Sequence, residues 1–95
     1  MIHVTVKGYL TFRPFVGEQR IAVSEGCTLR ILLEDLKVSL GEEFAHQAFD
    51  EQGALLDYVA VLLNGQHDSH LPLGLDTPLV DGDQVSIFPP IAGGN

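Results

Sequence analysis

The chain has 95 residues, with 13 acids against 5 bases for a net charge of −8, and is 45% hydrophobic and 19% charged. This is the composition of one globular domain, and its charge repels nucleic-acid phosphates and anionic lipid while favouring a partner with a basic surface. The single cysteine, Cys27, excludes an internal disulfide framework and a thiolate metal cluster, and no apolar run approaches the roughly 18 residues of a membrane span.

Met1-Ile2-His3-Val4 enters strand pattern at once, without a basic leader, so a cytoplasmic domain is expected. Ile2, Val4 and Val6 alternate with His3, Thr5 and Lys7, which predicts a half-buried strand running to about Leu10. Arg13-Pro14-Phe15-Val16-Gly17 reads as a turn. Gln19 to Val23, with Ile21 and Val23 inward, completes a hairpin. Thr28 is the expected N-cap of a helix whose apolar face is Leu29, Leu32, Leu33, Leu36 and Leu40, and Gly41 ends it. A shorter helix is expected over 42–49, with Phe44, Ala45 and Ala48 on one side, followed by a turn at Asp50-Glu51-Gln52-Gly53. The run Tyr58 to Leu63 is apolar on both faces and predicts a central strand ending in a hairpin turn at Asn64-Gly65. Residues 68–83 are punctuated by Pro72, Gly74, Pro78 and Gly82 and read as loop. Asp81-Gly82-Asp83 then turns the chain into a last strand, Gln84–Phe88, with Val85 and Ile87 inward. The order β-β-α-α-β-β-β gives an α+β roll: a mixed sheet of four to five strands on one main helix, with a short second helix.

The C-terminal residues carry no group for acid-base or nucleophilic chemistry; they offer shape. Pro89 and Pro90 end the strand ladder and stiffen the start of the tail, and Gly93 and Gly94 lack the Cβ that would bar them from a narrow channel. Six residues from Pro89 to Gly94 reach roughly 20 Å when extended. The division expected is a domain over 1–88 and a flexible tail over 89–95 that presents a carboxylate to another protein.

The hairpin, the helix opening at Cys27-Thr28-Leu29, the strand ending in Asn64-Gly65, and Asp81-Gly82-Asp83 leading to Phe88-Pro89-Pro90-Ile91-Ala92-Gly93-Gly94 together resemble the ubiquitin-like sulfur carriers of the MoaD and ThiS type. The segment 41–57 is longer than expected of ThiS, which favours the MoaD side. The resemblance implies a β-grasp fold and a carrier that is not itself an enzyme. It implies that an E1-like enzyme of the MoeB or ThiF type spends ATP to adenylate the Gly94 carboxylate. Sulfur delivery then yields a thiocarboxylate for a large subunit or other sulfur-accepting enzyme, in synthesis of molybdopterin or its tungsten equivalent. The resemblance further implies that Gly93 lets Gly94 enter the enzyme, that Phe88, Pro89, Pro90, Ile91 and Ala92 form the presenting arm, and that the protein holds no cofactor or metal of its own. Thiamine or amino-acid synthesis are alternative destinations, and a docking module that never conjugates is the alternative of another class.

Asn95 departs from the pattern, because it puts an amide where the carboxylate is needed. Either a JAMM-type peptidase removes it, or it is foreign to the natural chain, or conjugation has been lost and docking kept. Elsewhere the signals are plain. Cys27 at a helix start reads as a small buried apolar residue, and His67 and His70 as solvated loop residues short of a metal set. Glu34, Asp35, Glu42 and Glu43 read as a solvated face or an acidic docking patch. Leu62 and Phe88 are candidates for outward apolar positions.

Overall fold

The computed structural model describes residues 1–89; Pro90, Ile91, Ala92, Gly93, Gly94 and Asn95 lie outside the described residues. Alternation along β1 (Ile2–Gly8) sends Ile2, Val4, Val6 and Gly8 into the core, the period of two expected of a strand with one wet face. β1 pairs antiparallel with β2 (Glu18–Val23), Ile2 opposite Val23 and Lys7 opposite Glu18. On its other side β1 runs parallel to β5 (Gln84–Phe88), with Thr5 opposite Gln84 and Gly8 opposite Ile87. β5 also pairs antiparallel with β3 (Ala60–Leu63), and the two-residue β4 (Gln66–His67) closes that edge, giving the order β2-β1-β5-β3-β4.

The connection between β1 and β2 is more built than a turn. A 3-10 turn, Leu10–Phe12, leads into a one-turn helix, α1 (Arg13–Val16), which Gly17 ends at φ +60° with its N–H donating to the Arg13 carbonyl at 2.9 Å. Phe12 and Val16 are thereby driven into the core against Gly8. A Cβ on Gly8 would lie 2.7 Å from the Val16 Cβ and 2.8 Å from the Phe12 carbonyl oxygen. Gly8→Val is therefore expected to cost about 2–3 kcal/mol through overpacking, read as a lower urea midpoint.

The main helix, α2 (Leu29–Leu40), is capped as expected: the Thr28 hydroxyl accepts from the Ile31 N–H at 3.2 Å. Leu29, Leu32, Leu33 and Leu36 are buried on one face, each worth roughly 1.5–3 kcal/mol relative to exposure. Gly41 at φ +92° breaks the helix and starts α3 (Glu42–Ala48), which buries Phe44 and Ala48. Phe44 is the hub of an aromatic cluster: edge-on to Phe12 at 5.4 Å and Phe49 at 6.2 Å between ring centroids, and tilted to Phe15 at 6.4 Å. The Lys37 ammonium sits 4.9 Å above the Phe49 ring.

One expectation is corrected. The two-sided apolar run near 58–63 is not the middle of the sheet; β3 is four residues long and lies next to the β4 edge, while β5 occupies the centre. Among the described residues the buried side chains of β1, β3 and β5 fall on one face, so a central strand needs one apolar face and not two.

Candidate functional site at the root of the C-terminal segment

β5 delivers the chain to its C-terminal segment, and its start is fastened from three sides. Asn64 and Gly65, at φ +52° and +85°, make the two-residue hairpin turn between β3 and β4. That turn leaves the Asn64 side chain facing Asp83. Its amide donates to Asp83 Oδ1 at 2.9 Å, and its Oδ1 accepts from the Gln84 N–H at 2.9 Å. Asp83 Oδ2 accepts from the Val80 N–H at 2.8 Å, the Asp83 carbonyl accepts from Thr5, and Asp81 Oδ1 accepts from the His3 N–H at 2.8 Å. Gly82, at φ +89°, supplies the turn between the two carboxylates. Asp83 is the one buried charged side chain among the described residues, with 7% exposure, and its bonds account for its burial. Asp83→Ala orphans the Val80 N–H and the Asn64 amide, and is expected to cost about 2–3 kcal/mol, which denaturant unfolding with an unchanged m-value checks.

Beyond that clasp, Val85 and Ile87 are buried while Gln84, Ser86 and Phe88 face the outer side of the sheet. Phe88 stacks on Tyr9, centroids 4.2 Å apart and planes 8° from parallel, and the Lys7 ammonium lies 5.0 Å above the Tyr9 ring. The Tyr9 N–H donates to the Ile87 carbonyl at 3.0 Å, which extends the parallel ladder to the last residue before Phe88. Ala60 lies opposite Phe88 and Leu62 opposite Ser86, both half-buried, so the outer face carries an apolar platform where β5 ends. Pro89 is buried. The arrangement can hold the exit of the chain rigid and give a partner enzyme an aromatic surface beside it. Among its described residues there is no hydrogen-bonded nucleophile–base pair.

Of the residues singled out from sequence, Phe88 and Pro89 are placed here, whereas Pro90, Ile91, Ala92, Gly93, Gly94 and Asn95 lie outside the described residues. Tyr9 and Lys7 were missed. Their only signal is the alternation of β1, which sets odd-numbered residues outward without saying which strand stands beside them. Cys27 is buried, its sulfur 3.5 Å from the Thr28 carbonyl, and burial, followed by the Asp35 carboxylate, pushes its thiol pKa up. That is the opposite of an activated thiol at a helix start. His67 is held locally, its Nδ1 3.1 Å from Asp68 Oδ1 and accepting from the Ser69 N–H. Among the described residues no three His, Cys, Asp or Glu side chains are grouped to hold a metal, and no helix is long and apolar enough to cross a membrane. Glu34 pairs with Lys37 at 2.9 Å, and Asp35, Glu42 and Glu43 are exposed.

A five-stranded mixed sheet on one long helix, with its middle strand running out into a Pro-Pro and Gly-Gly segment, defines a ubiquitin-like β-grasp protein. The model of the ThiS family matches residues 9–94, and the chain belongs to that family. It is 36% identical over 95 residues to small archaeal modifier protein 3 of Haloferax volcanii, covering 98% of this chain and all of that one. With the sulfur carrier protein CysO of Mycobacterium tuberculosis the identity is 32%, again over 98% of this chain and all of the relative. Among solved structures, a putative molybdopterin converting factor subunit 1 from Pyrococcus furiosus superposes with a TM-score of 0.72 at 32% identity, over 96% of this chain and all of that one. The first two of these relatives are a modifier and a sulfur carrier by name.

Proposed function

We propose that the chain is a sulfur carrier whose Gly94 carboxylate is its working group. In the first step a carboxylate oxygen attacks the α-phosphorus of ATP on an E1-like enzyme, and pyrophosphate leaves. Hydrosulfide, delivered by a sulfur donor, then attacks the acyl carbon; AMP leaves with the electrons of the C–O bond, the sulfur's proton goes to solvent, and a thiocarboxylate remains. Glycine suits both steps because no side chain flanks the carbon under attack. Any residue after Gly94, Asn95 included, must come off first, since an amide has no carboxylate oxygen to adenylate; a JAMM-type peptidase is the proposed agent.

The observation that carries this reading is the coupling of a clasped central strand to the diglycine: β5 is fixed by Asp83 and Asn64 at its start and by Tyr9 at its end, and the family match runs through Gly94. A fixed root at Phe88 leaves only the residues beyond it to be ordered when a partner takes the tail. The acidic surface suits a basic enzyme groove, and the Tyr9–Phe88 platform supplies an apolar anchor next to the exit. The test uses the activating enzyme and ATP: the form ending at Gly94 gains one adenylyl group, the mass of AMP less one water, and the form ending at Asn95 gains none. Failure of the Gly94 form to be adenylated would remove the proposal.

For the destination of the sulfur we propose molybdopterin or its tungsten equivalent, supported by the likeness to the Pyrococcus furiosus protein. A deletion strain would then lose its molybdenum- or tungsten-dependent enzyme activities. Auxotrophy for thiamine or an amino acid in that strain, with those activities intact, would assign the sulfur elsewhere. A second reading, attachment of Gly94 to lysines of other proteins, is favoured by the 36% identity to an archaeal modifier. It uses the same adenylate and differs in giving isopeptide-linked products.

A further inference from the structure

β2 is the open edge of the sheet, with β1 as its only neighbour among the described residues. The Gly8 N–H donates to the Gly17 carbonyl at 2.8 Å, which fixes the alternation of the antiparallel ladder. Bonded pairs therefore fall at Val6–Gln19, Val4–Ile21 and Ile2–Val23, and the backbone N–H and C=O groups of Arg20 and Ala22 face away from the sheet. Next to this unpaired edge, on the helix side, runs a groove of about 460 Å³ between β2 and α2. Ile21, Val23, Cys27, Leu32 and Leu36 line it, and Ile31 stands over it with 48% of its surface exposed. Glu25 and Asp35 form its polar rim. No Lys, Arg or His side chain lines it, and neither carboxylate is in an ion pair among the described residues. The Arg20 side chain belongs to the other face, opposite Thr5.

We propose that this groove takes an extended segment of a partner protein, added as a strand to the β2 edge, with alternate apolar side chains in the groove and basic residues against Glu25 and Asp35. An unpaired edge gives the main-chain bonds and the apolar trough beside it gives side-chain selection, the two requirements of strand addition. Charge selects the occupant. A second copy of the chain carries a net charge of −8 and meets the same acidic rim, and residues 90–95 of this chain contain no cation. The surface is separate from the tail exit, because Ile21 and Val23 share the face of Ile2 and Val4 while Phe88 lies on the opposite one.

The test titrates the full ¹⁵N-labelled chain with a capped octapeptide, Lys-Lys-Val-Thr-Val-Thr-Ile-Thr. Two controls accompany it: one with glutamates in place of the lysines, and one with a proline at the central valine. Saturable shifts are expected at the amides of Arg20, Ala22 and Ile31, with slowed hydrogen exchange at Arg20 and Ala22. The acidic peptide should bind about tenfold more weakly, the effect of two exposed charge pairs, and the proline peptide should lose main-chain pairing. Ile31→Asp, at an exposed helix position, should abolish binding with the spectrum otherwise kept, and Ala22→Pro should do the same from the strand side. The proposal is overturned by no saturable shift up to about 1 mM peptide, by equal affinity for the acidic peptide, or by shifts centred on Tyr9 and Phe88. Protection of the Arg20 and Ala22 amides without peptide would also overturn it: if lost on dilution the occupant is a second copy, and if kept it is the chain's own C-terminal segment.

Discussion

Replacing Gly94 with alanine, in a chain ending at that residue, is expected to slow ATP–pyrophosphate exchange on the activating enzyme by roughly a hundredfold or more, equivalent to about 3 kcal/mol of activation barrier. The thermal midpoint should not move, since the core among the described residues runs from Ile2 to Ile87. The loss arises because a methyl group beside the reacting carbon must fit a channel shaped for glycine, and a misplacement of about 1 Å costs this much in an oriented reaction. The assay separates docking from chemistry: the variant should bind the enzyme with near-normal affinity while exchange collapses. Loss of the fold with Gly94→Ala would contradict the account of the C-terminal segment; exchange at the normal rate would contradict the role of Gly94.

The second large effect is on stability. Phe44→Ala is expected to destabilise the domain by about 4 kcal/mol, within the range of buried phenylalanine deletions, against a total of about 5–15 kcal/mol for a domain of this size. Phe44 is fully buried and packs against Phe12, Phe15 and Phe49, so its loss opens a cavity between α3, α1 and the 3-10 turn at Phe12. The backbone around it cannot collapse into the space, because α1 is already pressed against Gly8. Urea unfolding followed by circular dichroism reads the effect directly, and the midpoint should fall with little change in m-value. A cost below about 1 kcal/mol would show that the aromatic cluster is not a unit.

Local rules were readable wherever one signal settled an element. The Leu29–Leu40 stripe, the Thr28 cap, Gly41, the Asn64-Gly65 turn and the Asp81-Gly82-Asp83 turn each appear where their residues require. What the sequence hid was long-range. Pro14 and Gly17 announce a turn, but the burial of Phe12 and Val16 depends on Gly8 coming within contact, which no local pattern encodes. Strand order was hidden for a similar reason: the two-sided apolar run near Tyr58–Leu63 suggested the centre, whereas parallel pairing with β1 placed the half-polar Gln84–Phe88 strand there. The Tyr9–Phe88 stack depends on that parallel pairing and was invisible without it. The groove beside β2 depends on knowing which strand is the edge. The family resemblance was legible because the C-terminal motif that carries it is local, and the family match runs through Gly94; the roles expected of residues 90–95 lie outside the described residues.

The most direct measurement is the intact mass of the protein isolated from the cells that make it. A chain ending at Gly94, without Asn95, is expected, part of it heavier by the exchange of one oxygen for sulfur. A population that retains Asn95 throughout, with no sulfur form, would contradict carriage and leave a docking module in its place.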